Sequence, residues 1–248
     1  MLRINQLRGF NRLAGAATVA TVPDSPDPSH AYHFEQGDEL VDSIGSSDLV
    51  ANTSSSTTLA GKSGGALLFE ESSFIERSGI VNADFSLSGW VAMIGSDTGG
   101  IDLDFNPVTV WFSEGIFALK FLQTSAGDFQ AWILAFPGAW ELASSDSFPA
   151  GGWVHFTFSV TEGATPEIGA TFVVNINGTP HTWSEFAKNS SAAGYMRING
   201  YSTIMDNSYA KLDELYVWPD DPLTSAEIAW LYNGGTGHFW DSSAGDWA

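Results

Sequence analysis

Period-two alternation of apolar and polar residues is the feature that most constrains the fold of this chain. In the segment VHFTFSV (154–160) every second residue is apolar, while His155, Thr157 and Ser159 lie between them. Successive side chains of a β-strand point to opposite faces, so this pattern predicts a half-buried strand. The same pattern recurs in five other segments: Phe85–Val91, Val108–Phe112, Phe117–Phe121, Phe129–Ile133 and Thr171–Ile176. Many short strands without intervening helices predict an all-β antiparallel sandwich of two sheets.

Two local motifs add a hairpin and a helix to this prediction. Asn177-Gly178 directly follows an alternating segment, and this pair favours a type I′ hairpin because both positions require positive φ. Near the end of the chain, Thr224 and Glu227 have the spacing of a helix capping box. One short C-terminal helix is therefore predicted, with an apolar stripe formed by Ile228, Leu231 and Tyr232.

The charge is distributed unevenly along the chain. Residues 1–22 contain Arg3, Arg8 and Arg12 and no acid, so that segment is +3, whereas the whole chain is −20. Nine basic residues against 29 acidic ones disfavour nucleic acid as a partner, because neutralising phosphates requires clustered Lys and Arg.

No apolar stretch approaches the roughly 20 residues of a membrane-spanning helix, so we expect no membrane insertion. The absence of cysteine excludes disulfides and thiolate metal sites.

The composition divides the chain into four parts. Residues 1–22 are predicted to be an extended, ordered N-terminal arm, and residues 23–30, which contain three prolines, a stiff linker that holds the arm away from the body. Residues 31–236 are predicted to form the sandwich. Residues 237–248 form an aromatic tail, which we expect to pack on the body or on a neighbouring subunit.

An ordered series of segments resembles the laminin-G-like jelly roll of the concanavalin A-like lectin and glucanase superfamily. The opening segment YHFEQGDELVDSIG (32–45) resembles the first strand and turn of that family, and LDELYVWP (212–219) followed by LTSAEI (223–228) resembles its closing strand and helix. The segments between them are similar to the central strands: Gly65–Phe69, Phe85–Val91, Gly152–Phe158 and Val173–Gly178. The resemblance implies a fold whose members bind glycans, proteins or lipids, act as spacers, or hydrolyse polysaccharides.

Asp213 is the carboxylate that this resemblance makes most interesting. The period-two rule places it on the same face as Leu215 and Val217, so it would be buried and would require compensation. The resemblance implies that an acid here helps to bind one structural calcium ion together with Glu35 or Asp42 and with backbone carbonyls near the first strand, and an all-oxygen site suits calcium. The alternative is that Asp213 accepts hydrogen bonds from loop amides.

A hydrolytic site is disfavoured by the sequence. The glucanases of this fold carry two glutamates on one strand, because retaining hydrolysis needs two carboxylates on one face at about 5 Å. The nearest candidates are Asp102 and Asp104, but Pro107 occupies the position of the second glutamate. We therefore predict no catalytic residues and no enzyme.

Aromatic residues could supply a sugar-binding surface, although the glycan-binding residues themselves are not identified by the sequence. Trp90, Trp153 and Trp218 lie in or beside predicted strands and are assigned to the core. The candidates for stacking on a sugar are Trp111, Trp132, Trp140 and Trp183.

Three functions follow as hypotheses. The first is a non-catalytic structural or adhesion protein of a virion, in a phage capsid decoration or tail, whose arm binds other virion proteins and whose sandwich is displayed on the surface for host glycans. We expect such a chain to be oligomeric or bound in an assembly. The second hypothesis is a carbohydrate-binding module that is extracellular or on a cell surface. The third is a polysaccharide hydrolase.

Overall fold

The computed structural model describes the β-sandwich in several stretches. They are residues 26–51, 56–57, 60–69, 75–79, 84–96, 109–112, 117–123, 128–135, 140–142, 146–161, 170–186, 195–198 and 208–248. The arm with Arg3, Arg8 and Arg12, and the candidate acids Asp102 and Asp104, lie outside the described residues. Among the described residues, no helix is long and apolar enough to cross a membrane.

Short antiparallel strands make up most of the described chain. In chain order they are β1 His30–Tyr32, β2 Val50–Ala51, β3 Ser56–Thr57, β4 Leu67–Phe69, β5 Ile75–Ser78, β6 Phe85–Ser96, β7 Thr109–Phe112, β8 Phe117–Gln123, β9 Phe129–Ala135, β10 Trp140–Leu142, β11 Trp153–Thr161, β12 Ala170–Ile176, β13 Thr179–Phe186, β14 Tyr195–Ile198, β15 Ser208–Trp218, β16 Trp240–Asp241 and β17 Asp246–Trp247. The helix α1 is Ser225–Tyr232, and a 3₁₀ turn, Asn233–Gly235, follows it.

The strands form two large sheets and one small hairpin. The eight-stranded sheet has the order β13-β12-β11-β6-β15-β4-β3, with β1 also paired to β15. The seven-stranded sheet has the order β10-β9-β8-β7-β14-β5-β2, and β16 pairs with β17. All of these pairings are antiparallel. The predicted all-β, two-sheet antiparallel sandwich with one short C-terminal helix is confirmed.

The main core lies between the two large sheets. Phe156, Phe158 and Val217 of the eight-stranded sheet and Phe129 and Met196 of the seven-stranded sheet belong to one buried apolar cluster. Gly89 lies where β6 crosses this core. A Cβ atom there would lie 3.0 Å from the Phe156 ring, so the close approach favours glycine. The alternating apolar residues seen in the sequence therefore line the interface between the sheets.

A second buried cluster covers the outer face of the eight-stranded sheet, which we call the covered face. Tyr216 and Trp218 of β15 pack there against Ile228 and Leu231 of α1 and against Trp240 of the tail. The polar residues of the alternating strands lie beneath this layer, and His155, Thr157 and Ser159 are each less than 5% exposed. Alternation predicted these positions to be the polar side of a half-buried strand, and the helix and tail bury them.

The two local motifs have the predicted geometry. Asn177 and Gly178 have φ of 48° and 79°, and they join β12 to β13 as the type I′ signature requires. Thr224 Oγ1 accepts from the Glu227 amide at 3.3 Å, and the Glu227 carboxylate accepts from the Thr224 amide at 2.6 Å. Both the hairpin and the capping box are therefore confirmed.

The linker and the tail both pack on the body. Pro26 and Pro28 are buried, and Trp218 Nε1 donates to the Pro26 carbonyl at 3.2 Å. In its described part, the linker is therefore held against the domain and does not stand away from it, because the indole supplies a hydrogen bond. The tail is attached through the Trp240 amide, which donates to the Tyr216 hydroxyl at 3.0 Å.

Candidate functional site

A β-bulge in β15 decides where Asp213 lies. The register pairs Asp213 with Trp90 and Tyr216 with Ser88, so the alternation slips between these two pairs. Glu214 occupies the slip with φ of 52°, a left-handed conformation. Leu215 and Val217 face the main core, whereas Asp213 lies opposite Trp90 on the covered face. The prediction that Asp213 shares a face with Leu215 and Val217 is therefore wrong, since one extra residue reverses the parity.

Asp213 is nevertheless fully buried, and it organises the loop 61–65. Its Oδ2 atom accepts from the amides of Lys62 at 2.6 Å and Ser63 at 2.9 Å, and its Oδ1 atom accepts from the Glu214 amide at 2.9 Å. Burial, followed by the charge of Glu214, raises the pKa of Asp213 to about 8, although these amides act in the opposite direction. A Cβ atom on Gly61 would lie 2.5 Å from Oδ2, so the loop needs glycine to wrap this carboxylate.

Glu35 and Asp42, the other two predicted calcium ligands, also bind backbone amides. Both Glu35 oxygens lie 3.1 Å from the Gly65 amide, at the far end of the loop that Asp213 holds. Asp42 lies in a different loop, where it accepts from the Gly45 amide at 3.0 Å and contacts His30 Nδ1 at 2.6 Å. Burial opposes ionisation of Asp42, but these hydrogen bonds hold its pKa well below the usual range.

Asp213 and Glu35 therefore hold the same loop, whereas Asp42 lies in a different one. In the part of the chain that the structure describes, no three acidic or histidine side chains are grouped so that they could hold a metal ion. The alternative predicted that Asp213 accepts hydrogen bonds from loop amides, and the structure shows these hydrogen bonds. Calcium binding itself stays a prediction.

Lys62 connects the 61–65 loop to the covered face. Its Nζ atom lies 4.4 Å from the centroid of the Trp90 ring and donates to the Gly235 carbonyl at 2.6 Å. Beneath it, the His155 ring packs against the Trp90 ring at 4.9 Å with an interplanar angle of 54°, and His155 Nε2 lies 2.9 Å from Ser88 Oγ. Burial and the Lys62 charge lower the pKa of His155 to about 3, so this histidine is neutral and structural.

A second buried polar group lies under the tail. Glu214 accepts a hydrogen bond from the Tyr216 hydroxyl, and its Oε2 atom lies 2.9 Å from His33 Nδ1. Burial lowers the pKa of His33, but the hydrogen bond and charge of Glu214 outweigh it and raise that pKa overall. Sequence reasoning did not identify this group, because Glu214, in its left-handed conformation, contacts His33, which lies 181 positions away in the chain.

The exposed aromatic residues lie in two places. Trp132 is partly exposed on β9, where it alternates with Phe129 and Ala131 of the main core. It therefore lies on the outer face of the seven-stranded sheet, which we call the open face. Among the described residues, no buried apolar cluster covers this face. The side chains of the other predicted stacking residues, Trp111, Trp140 and Trp183, lie outside the described residues.

The second group lies on the covered side of the domain, at its surface. Trp230 and His238 stack in parallel at 4.1 Å with an interplanar angle of 6°, and Trp247 meets Trp230 edge to face at 5.2 Å. These three side chains are partly exposed. We call them the C-terminal aromatic surface. Trp90 and Trp218 are buried as predicted, but both lie on the covered face and not between the sheets.

Comparison with solved structures finds the same kind of fold in several proteins. Domain 4 of AbnA, a GH43 extracellular arabinanase from Geobacillus stearothermophilus solved with arabinotriose, is 21% identical with a TM-score of 0.59, and the match covers 82% of this chain and 96% of that domain. The binding domain of Paraclostridial Mosquitocidal Protein 1 is 16% identical with a TM-score of 0.58, over 84% of this chain. The binding domain of botulinum neurotoxin DC, in complex with SialylT, is 10% identical with a TM-score of 0.52, again over 84% of this chain.

These likenesses establish a jelly-roll-like β-sandwich. This chain spans about half of each toxin structure, 52% in both cases. No protein-family model and no curated protein sequence matches the chain.

Proposed function

We propose that this protein is a non-catalytic carbohydrate-binding module that binds glycans on its open face. The observation that carries the proposal is Trp132, a partly exposed indole on a sheet face that no buried cluster covers in the described chain. The flat face of an indole packs well against the apolar face of a sugar ring. Domain 4 of AbnA was solved with arabinotriose, which supports the same class of ligand for this fold.

The three buried acids of the described chain support the non-catalytic part of the proposal. Asp42, Asp213 and Glu214 are buried, and each already accepts hydrogen bonds from amides, a histidine or a tyrosine. A general acid or base must reach a proton of the substrate, and these side chains point into the fold. The hydrolase candidates Asp102 and Asp104 require a direct assay, since they lie outside the described residues.

Calorimetric titration tests the open face. The probes are arabinotriose and a sialylated oligosaccharide, and the wild-type protein is compared with Trp132→Ala and with the matched variant Trp230→Ala. We expect Trp132→Ala to weaken binding about tenfold, the effect of losing about 1.4 kcal/mol of stacking, and Trp230→Ala to leave it unchanged. Equal binding by wild type and Trp132→Ala, or no binding of either probe, would reject the open face as the site.

A reducing-sugar assay tests the absence of catalysis. We expect no release of reducing ends from arabinan or from a mixed panel of polysaccharides. Turnover by the purified wild-type protein that disappears in Asp102→Asn or Asp104→Asn would establish the hydrolase hypothesis.

We further propose that the module is displayed on a virion surface, in a phage capsid decoration or tail, with residues 1–22 as its anchor to other virion proteins. The support is the contrast between an arm of three arginines without an acid and a strongly acidic remainder. Light scattering of purified virion particles would measure how much protein they incorporate. The wild-type protein would be compared with the Arg3, Arg8, Arg12→Glu variant. Full incorporation of the substituted protein would favour the extracellular or cell-surface alternative.

A further inference from the structure

The C-terminal aromatic surface has the chemistry of a cation-binding site. Trp247 meets both Trp230, at 5.2 Å, and Trp240, at 5.5 Å, with its ring nearly perpendicular to each. The face of an indole carries a negative electrostatic potential and attracts guanidinium or ammonium groups. Partly exposed indoles in this arrangement therefore favour a cationic ligand.

The charge around this surface selects the same kind of ligand. Residues 219–248 contain five acids, none of them buried, and no Lys or Arg. Asp241 and Asp246 are exposed and lie directly opposite each other in the β16–β17 hairpin, next to Trp240 and Trp247. A carboxylate beside an indole strengthens the attraction for a cation and disfavours any anionic ligand.

One atom at this surface also lacks a hydrogen-bond partner. The Nε1 atom of Trp247 is buried and finds no acceptor among the described residues. A buried indole N–H normally donates to a carbonyl or a hydroxyl. The described residues alone therefore leave one polar group of this surface without a partner.

The described chain begins beside this surface. Trp218 Nε1 holds the Pro26 carbonyl at 3.2 Å, the Tyr216 ring lies 6.3 Å from Trp218, and Trp247 lies 5.1 Å from Tyr216. The 25 residues before Pro26 can span roughly 80 Å when extended, and about 25–30 Å as a flexible coil. Residues 1–22 therefore start within easy reach of the aromatic rings.

We propose that the N-terminal arm docks in cis on the C-terminal aromatic surface, with Arg3, Arg8 or Arg12 against the exposed parts of Trp230 and Trp247 and beside Asp241 and Asp246. The arm carries three guanidinium groups and no acid. A tether that starts next to the site gives a high effective concentration, which favours the arm of the same chain over that of a second copy. In the unassembled protein this contact would keep the arm from binding other proteins. The contact is independent of glycan binding on the open face.

The indole N–H signals in a ¹H–¹⁵N NMR spectrum of the full-length protein test this proposal. The arm variant is Arg3, Arg8, Arg12→Gln, and the control is Asn5, Gln6, Asn11→Ala, which alters three polar residues of the same arm. Single Phe substitutions at Trp230, Trp247 and Trp132 assign the three signals. We expect the arm variant to shift the signals of Trp230 and Trp247 and to leave that of Trp132 in place, and the control to shift none.

Two further conditions separate the possible outcomes. Salt at about 0.5 M should reproduce the shifts of the arm variant, because it screens the pairing of arginine with exposed carboxylates. The wild-type spectrum should not change over a tenfold dilution, as contact in cis requires. Unmoved signals in the arm variant, equal shifts in the control, or shifts that depend on protein concentration would each overturn docking in cis.

Discussion

The outer faces of the two sheets differ in what lies over them. On the covered face, Ser88, His155 and Asp213 are buried below α1, the 61–65 loop and the tail. On the open face, Trp132 is partly exposed, and no buried cluster lies over it in the described residues. The covered face therefore contributes a second core that stabilises the domain, whereas the open face has no such layer among the described residues.

The largest expected difference between the two faces is in the loss of stability when one tryptophan on each is truncated. Trp218→Ala should lower the free energy of unfolding by about 3–5 kcal/mol, because it opens a cavity in the second core and releases Pro26. Trp132→Ala should cost less than about 1 kcal/mol. Urea denaturation followed by circular dichroism measures both, and similar losses in the two variants would remove the distinction between the faces.

His155 should make the covered face sensitive to acid. The pKa of His155 is lowered to about 3 in the folded protein from 6.5, so below pH 6.5 the unfolded chain binds a proton that the folded chain does not. Stability from this group is therefore complete above about pH 6.5 and is lost as the pH falls, by about 2 kcal/mol between pH 7 and pH 5.

The variant His155→Gln isolates this contribution, since Asp213 titrates in the opposite sense. The pKa of Asp213 is raised to about 8, so its contribution to stability increases as the pH falls from 8 toward 4. The difference in unfolding free energy between wild type and His155→Gln should shrink by about 2 kcal/mol from pH 7 to pH 5. A difference that does not change with pH would mean that His155 titrates normally in the folded protein.

Removal of calcium should have the smallest effect on the covered face. The 61–65 loop is held by amide hydrogen bonds to Asp213 and Glu35, which need no ion. A Tm in excess EGTA within about 1 °C of the Tm in millimolar calcium would mean that these hydrogen bonds hold the loop without an ion, because a bound ligand raises the stability of the folded state. A calcium-dependent rise of several degrees that Asp213→Asn abolishes would restore the predicted calcium site.

Local sequence signals predicted a large part of the fold. The alternating segments are strands, and the Asn177-Gly178 and Thr224–Glu227 motifs have the predicted hairpin and cap. These signals are reliable because they depend on φ preferences and hydrogen bonds within a few residues. The candidate site was less predictable. The burial of Asp213 was predicted, but its face was wrong, because a single left-handed residue at Glu214 reversed the alternation.

The sequence by itself determined the all-β sandwich, the C-terminal helix and the contrast in charge between the arm and the rest of the chain. Only the tertiary structure decided which polar strand face is buried. Serine, threonine and histidine at alternate positions indicate a face that is polar, but they do not indicate whether water or another segment lies over it. That outcome depends on contacts between residues far apart in the chain, such as Ser86 Oγ, which accepts from the Leu223 amide at 2.7 Å. Burial of the serine hydroxyls costs little, because such partners replace the water that they lose.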